Sequence, residues 1–313
     1  MRLPILFALT SLAVAACGDD GGSTTPDASV DIGFNTPTVT LKANMEIGED
    51  QWMEIGPADL TCLNTPSADL ATSVAVTLNA VVKDFQSGNA VPNSMVEIFP
   101  EQKHTMPFGA AVMADANANL TLTIPTGTKR FGYKMTASTA LPTFLLNQVV
   151  KPDVMVQPEG TCNPAPCRTS IQSVSNATAA TLPALIGQTR TVGTGVVAGA
   201  LRDCQEREIS GFIATMSSTP AMPNTIAGAD TYYFDSEVGL PVHHNRQAAG
   251  SEDGLFMIIE VPGTSPTGYV QMWGFPTDAD LAMGKAGLKL IAELQVPILA
   301  DTVITGSYEP LRQ

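Results

Sequence analysis

Ala80-Val81-Val82-Lys83-Asp84-Phe85-Gln86 begins a pattern that returns near a spacing of 119 residues as Gly199-Ala200-Leu201-Arg202-Asp203-Cys204-Gln205. In both, an apolar stretch ends on a basic residue and an aspartate, a polar turn follows, and a second apolar stretch begins. That second stretch is Ala90-Val91-Pro92-Asn93-Ser94-Met95-Val96-Glu97-Ile98-Phe99 in the first copy and Ile209-Ser210-Gly211-Phe212-Ile213-Ala214-Thr215-Met216 in the second. Aspartate and glycine at such places tolerate the tight backbone of a chain reversal, so each copy reads as strand, turn, strand.

The copies stay in step further on. Leu120, Leu122 and Ile124 alternate with Asn119, Thr121 and Thr123 before Pro125-Thr126-Gly127; Met257, Ile259 and Val261 precede Pro262-Gly263. A period of two places one set of side chains in a core and the other outward. An aromatic strand follows each: Phe131-Gly132-Tyr133-Lys134-Met135, and Tyr269-Val270-Gln271-Met272-Trp273. Charged residues are few, and Thr, Val, Gly and Pro are frequent, which favours strands over helices.

This order resembles the carboxypeptidase regulatory-like domains, prealbumin-type sandwiches whose pattern is strand, Asp, turn, strand, acidic turn, then a strand ending at Pro-x-Gly. Asp84 and Asp203 match the turn acid. Glu252-Asp253-Gly254 and Asp115-Ala116-Asn117 match the second turn, although the first copy lacks its glycine. Leu60-Thr61-Cys62-Leu63-Asn64-Thr65-Pro66 and the Asp203-Cys204 turn also look like bacterial lipoproteins built on this module. The resemblance implies an all-β chain of two tandem prealbumin-like or immunoglobulin-like β-sandwiches, at 37–155 and 196–313, joined by a linker over 156–195. It implies accessory modules that space or bind partners and carry no catalytic residues of their own. A short helix is expected at Thr178–Ile186 and another at Asp278–Gly287, capped by Asp278 with Asp280 favouring the dipole. Leu288–Val296 and Thr302–Tyr308 read as closing strands.

The N-terminus carries an address. Met1-Arg2 is followed by an apolar run to Ala16, shorter than the roughly 20 residues a spanning helix needs. Val14-Ala15-Ala16-Cys17 resembles the lipobox of bacterial lipoproteins, which implies a signal peptide over 1–16 and diacylglycerol and acyl (palmitate) chains on Cys17. The bilayer is then the first partner. Residues 17–36, from Cys17 through Gly18-Asp19-Asp20-Gly21-Gly22 onward, have no apolar periodicity and read as a disordered tether of roughly 25 Å. Gly18 rather than aspartate follows Cys17, which favours the outer over the inner membrane.

The formal charge is −14, and residues 18–69 hold ten acids against Lys42 alone. Acidity therefore gathers in the tether and its approach. No basic patch exists, so nucleic acid is not an expected partner; an envelope protein or a carbohydrate is. Beyond Cys17 there are four cysteines, an even number that suggests two disulfides in an exported chain. Three pairings are possible; Cys162–Cys167 with Cys62–Cys204 is favoured, and a thiolate zinc site is the rival.

Candidate chemistry is sparse. His243-His244 is the most tempting pair, with Asp230, Asp235 or Glu237 as a third metal ligand. Neighbouring side chains on a strand point to opposite faces, so a shared metal needs a loop there. The only other histidine is His104. Gly263-Thr264-Ser265-Pro266-Thr267-Gly268 has the wrong spacing for a nucleophile elbow. Asp278 and Asp280 are explained by helix capping, and Trp52 and Trp273 by a core rather than sugar stacking. The expectation is a non-enzymatic, membrane-anchored spacing or binding module without cofactor or metal. The alternative is a cell-wall or carbohydrate hydrolase, or a metal-dependent enzyme, using the His243-His244 loop.

Overall fold

A computed structural model describes residues 34–48, 51–150, 169–185, 187–236, 239–263 and 267–312. Cys17, the signal, tether residues 17–33, Cys162, Cys167, Glu237 and Ser265 lie outside the described residues, whereas Phe34, read as part of the disordered tether, is buried against Ile213 and Trp273 because its apolar ring finds a core there.

The architecture is nearly all β. A hairpin of β1 (Lys42–Gly48) and β2 (Gln51–Pro57) comes first. The first unit is β3 (Val76–Asp84), β4 (Met95–Pro100), β5 (Val112–Met113), β6 (Asn119–Ile124), β7 (Arg130–Ala137), β8 (Ala140–Val149) and β9 (Thr169–Ser175), closed by helix α1 (Asn176–Leu185). The second is β10 (Thr194–Leu201), β11 (Glu208–Ser210), β12 (Ile213–Ser217), β13 (Asp230–Phe234), β14 (Pro241–His243), β15 (Leu255–Pro262), β16 (Thr267–Gly274), helix α2 (Asp278–Ala282), a 3-10 turn at Gly284–Gly287, β17 (Lys289–Pro297) and β18 (Val303–Tyr308).

The repeat is real at the level of pairing. In the first unit β3 lies antiparallel to β6 and parallel to β9, β4 is antiparallel to β7, and β7 to β8. In the second, β10 lies antiparallel to β15 and parallel to β18, β12 is antiparallel to β16, and β16 to β17. Both units are thus the same β-sandwich. Period-two patterning accounts for the cores: Val76, Leu78, Ala80 and Val82 on β3 face Leu120, Leu122 and Ile124 of β6 in one buried cluster.

Two assignments change. The hairpin β1–β2 falls within 37–155, but β1 pairs with β11, Lys42 opposite Ser210, so it belongs to the second unit. Leu41 accordingly sits in the second unit's core. The span 156–195, read as linker, contains β9, whose Ile171 and Val174 are buried while serines fill most other positions. The expected helix at 178–186 is present as α1. The C-terminal helix is shorter than expected, and Thr277 rather than Asp278 caps it, its side chain accepting the Asp280 N–H at 3.1 Å.

The units are fused. β8 pairs in parallel with β18, Thr143 opposite Val303 and Leu146 opposite Gly306, so one sheet runs β14-β13-β15-β10-β18-β8-β7-β4-β5 through both. Phe99, Phe144 and Leu146 of the first unit are buried in the second unit's cluster with Phe256, Ile304 and Tyr308. Close approach is needed at this seam: a Cβ on Gly199 would meet the Gly306 carbonyl oxygen at 2.2 Å and the Tyr308 ring at 2.6 Å.

Candidate functional site

The turn acids are structural. Asp84 is 2% exposed. Its carboxylate accepts from the Ser87 N–H (2.9 Å) and hydroxyl (2.8 Å), the Ser175 N–H (2.8 Å) and the Thr178 hydroxyl (3.0 Å). Burial pushes this carboxyl up, but those four donors outweigh it and hold it at about 2. Asp203 likewise gathers donors at its turn in the second copy. It accepts the Gln205 and Arg207 N–H groups, the Arg207 guanidinium and the Asp59 N–H at 3.1 Å. Each acid pins a turn to a segment distant in sequence. Asp253, at the second turn, is buried and pushed up to about 6, burial outweighing its bonds from Leu255 N–H and Ser251.

Cys62 and Cys204 form a disulfide with Cα atoms 5.7 Å apart, beside the Asp203–Asp59 contact. Arg130 links the two units, binding Asp69 at 2.5 Å and Glu309, just past β18, at 2.9 Å.

The one group of three potential metal ligands among the described residues is Asp230, His243 and His244. Tyr232 on β13 stands opposite His243 on β14, and Asp230, two residues earlier on β13, shares Tyr232's face. His243 is the last residue of β14. The chain then turns, with Arg246 N–H bonding the His243 carbonyl at 2.8 Å. His244 keeps one backbone bond to β13, its N–H to the Thr231 carbonyl at 3.1 Å, but stands where the turn begins, and strict alternation of faces no longer applies. Both rings converge on one oxygen: Nε2 of His243 lies 2.9 Å and Nε2 of His244 3.6 Å from Asp230 Oδ1. The Tyr232 hydroxyl donates to the other oxygen at 3.0 Å. Burial, then Asp230, pushes Tyr232 up to about 12. The ring of Phe34 covers His244 at 4.3 Å. Burial, with neighbouring His243, lowers His244, and Asp230 opposes this. A cleft of about 490 Å³ opens beside the group, lined by Gln188, Tyr232, Pro241, His243 and Arg246.

The other candidates do not join it. Asp235 serves the β13–β14 turn, its N–H bonding the Leu240 carbonyl. His104 packs edge-on to Phe99 and Phe144 in the first unit. Trp273 is buried and donates to Gln271, and Trp52 lies half-buried on β2. Tyr232, Phe34 and Arg246 escaped the sequence reading; the i, i+2 spacing of Asp230 and Tyr232 ahead of the histidine pair was the available signal.

No family model matches the chain, and no curated protein does. Among solved structures it is similar to 3-chlorocatechol 1,2-dioxygenase from Rhodococcus opacus 1CP, at 12% identity over 42% of this chain and 71% of that one, TM-score 0.21. It is also similar to the shaft pilin SpaA of Lactobacillus rhamnosus GG, at 10% identity over 77% and 98%, TM-score 0.19. BcpA, the major pilin subunit of Bacillus cereus, matches at 9% over 75% and 69%, TM-score 0.21. At such scores the likeness carries no argument about activity; the β-sandwich assignment rests on the strand pairing above.

Proposed function

We propose that this chain is a non-enzymatic lipoprotein of the cell envelope whose two β-sandwiches, of the carboxypeptidase regulatory-like kind, act as one stiff spacing and binding module. The observation that supports it most is the seam. Tandem domains ordinarily meet through small polar interfaces and move relative to each other. Here β8 pairs with β18, core residues are shared, and Arg130 of the first unit reaches Glu309 of the second. A body held this way keeps a binding surface at a set distance from its point of attachment. That point is Cys17, acylated in the outer membrane, with the residues between Cys17 and the buried Phe34 as tether. The partner is an envelope protein or a carbohydrate.

Two measurements test this. Cys17→Ser should abolish palmitate labelling and release the chain from membrane fractions; continued labelling refutes the anchor. Small-angle scattering of the released protein should fit one fixed arrangement of the two units. A fit that needs many relative orientations refutes the spacer. The rival reading, a hydrolase or metal-dependent enzyme using the His243-His244 loop, is favoured by the convergence of both rings on Asp230. It requires turnover of a peptide, ester or glycan that His243→Ala removes.

A further inference from the structure

We infer that Asp230, His243 and His244 form a binding site for a divalent transition-metal ion of the zinc type, set at the β14 end of the long sheet. This is separate from the spacing role and requires no catalysis.

Geometry is the first support. A tetrahedral ion with ligands at roughly 2.0–2.1 Å keeps its ligand atoms about 3.3 Å apart. The two measured spacings, 2.9 Å from Asp230 Oδ1 to His243 Nε2 and 3.6 Å to His244 Nε2, bracket that value. The three donor atoms lie within 4.8 Å of one another, so small side-chain movements suffice to enclose an ion.

The donor set gives the class. Two imidazoles with one carboxylate suit zinc and its transition-metal neighbours, whereas calcium and magnesium need oxygen. Three protein ligands leave a fourth position, and a cleft lined by His243, Tyr232 and Arg246 adjoins the group. Water or a small anion fits there.

The second support is a ring that hydrogen bonding does not explain. Among the described residues, Nδ1 of His244 is buried with no hydrogen-bond partner, and its Nε2 has only Asp230, at 3.6 Å. Buried imidazole nitrogens are ordinarily satisfied. Coordination through Nε2 would replace the long Asp230 contact with a strong one while Phe34 holds the ring from the side; Nδ1 then carries the proton and stays unpaired among the described residues. Tyr232, bonded to Asp230 Oδ2, is the outer-sphere group that fixes the carboxylate.

His243 must adjust. Its Nδ1 accepts the Asn245 N–H at 3.1 Å, which places the proton of the neutral ring on Nε2, toward Asp230. Metal on Nε2 returns that proton to Nδ1 through solvent, and the Asn245 amide must turn away. The turn at 243–247 is exposed at this bond and free to do so. Loading therefore has a signature outside the ligands themselves, a shift of the Asn245 amide resonance.

The test uses the full chain, solubilised, made without a histidine tag and stripped with a chelator that is then removed. Zinc alone is titrated by calorimetry, and cobalt alone by visible absorption. One equivalent should bind, with cobalt bands of a four-coordinate site, a higher melting temperature and a shifted Asn245 amide. Calcium and magnesium should do none of this. His243→Ala and Asp230→Asn should each weaken zinc by about 100-fold or more, the upper end of what outer-sphere changes alone reach. His244→Gln preserves bulk beside Phe34 and should weaken it likewise, which guards against a misfolded alanine variant; His104→Ala should leave binding unchanged. Absence of stoichiometric binding, or undiminished binding in the double variant His243→Ala/His244→Gln with native circular dichroism, overturns the site.

Discussion

Removing the Asp84 carboxylate by Asp84→Ala tests how the first unit is held. The side chain is 2% exposed and gathers four donors, two of them from Ser175 and Thr178 at the end of β9 and the start of α1. Those bonds hold it at about 2 against an ordinary 3.8. At 1.36 kcal/mol per tenfold the gap corresponds to about 2.4 kcal/mol of stability at neutral pH. The variant also leaves the Ser87 and Ser175 N–H groups without their acceptor, so the total loss should be about 3 kcal/mol or more. A carboxyl lowered on folding stabilises above its unfolded value and loses that contribution as pH falls toward its folded one. The charge-dependent part should therefore be full above pH 5 and fall to about half by pH 3. Denaturant unfolding followed by circular dichroism reads the loss. Tryptophan fluorescence adds a second reading, because Trp52 on β2 and Trp273 on β16 both belong to the second unit. With a shared core, both signals should move to one lower midpoint. A loss under about 1 kcal/mol, or an equal loss at pH 3 and pH 7, refutes the clamp; a fluorescence midpoint that stays put refutes the coupling.

Three further outcomes follow from the same contacts. Asp253, raised to about 6 on folding, costs stability as pH rises from about 4 to 6. Asp253→Asn should thus stabilise the protein at pH 7 by about 1–3 kcal/mol, a gain absent at pH 4, as thermal melts at the two pH values will show. The Cys62–Cys204 bridge closes a sequence separation of 142, so Cys204→Ser should cost about 2–5 kcal/mol in a denaturant midpoint. Cleavage engineered within 151–168 should leave the two pieces bound to each other after reduction, because β9 pairs with β3 across the cut and β8 with β18; separation of the pieces on a sizing column would contradict the fused seam.

The repeat was legible because its signals are local. An apolar alternation, an aspartate that closes its own turn and a Pro-Gly stop all act within a few residues, and both copies carry them. What escaped depends on partners far along the chain. Nothing near Lys42 announces that β1 will pair with Ser210 rather than with the sandwich that follows it. β9 hid in a serine-rich stretch because it lies parallel to β3, and its buried apolar residues are only Ile171 and Val174, with Ser173 buried beside them. The histidine pair, with Asp230 among its possible third ligands and a loop as the requirement, was legible; only the loop itself was not. Alternation of faces is sound within a strand, but where β14 stops was not readable, and stopping at His243 is what frees His244 to turn toward Asp230.

The seam explains why two copies of one module make a single body. An open sandwich has edge strands whose unpaired backbone groups invite association with other chains. In the second unit β18 is such an edge; in the first, β8 pairs with β9 only at Ala140 and Leu141, and its stretch from Thr143 to Leu146 is closed by β18. It also brings Phe144 and Leu146 of β8 under the second unit's core, so that pulling the units apart would expose apolar surface from both. The path of the combined sheet then ends at β14 and β5, three and two residues long. Ends this short offer few free backbone groups. The cluster of Asp230, His243 and His244 lies at one of them, where the backbone is least constrained by neighbours and a loop can fold two adjacent histidines onto one carboxylate. The fusion that makes the middle of the sheet stiff therefore leaves its end as the place where side chains can be arranged for binding.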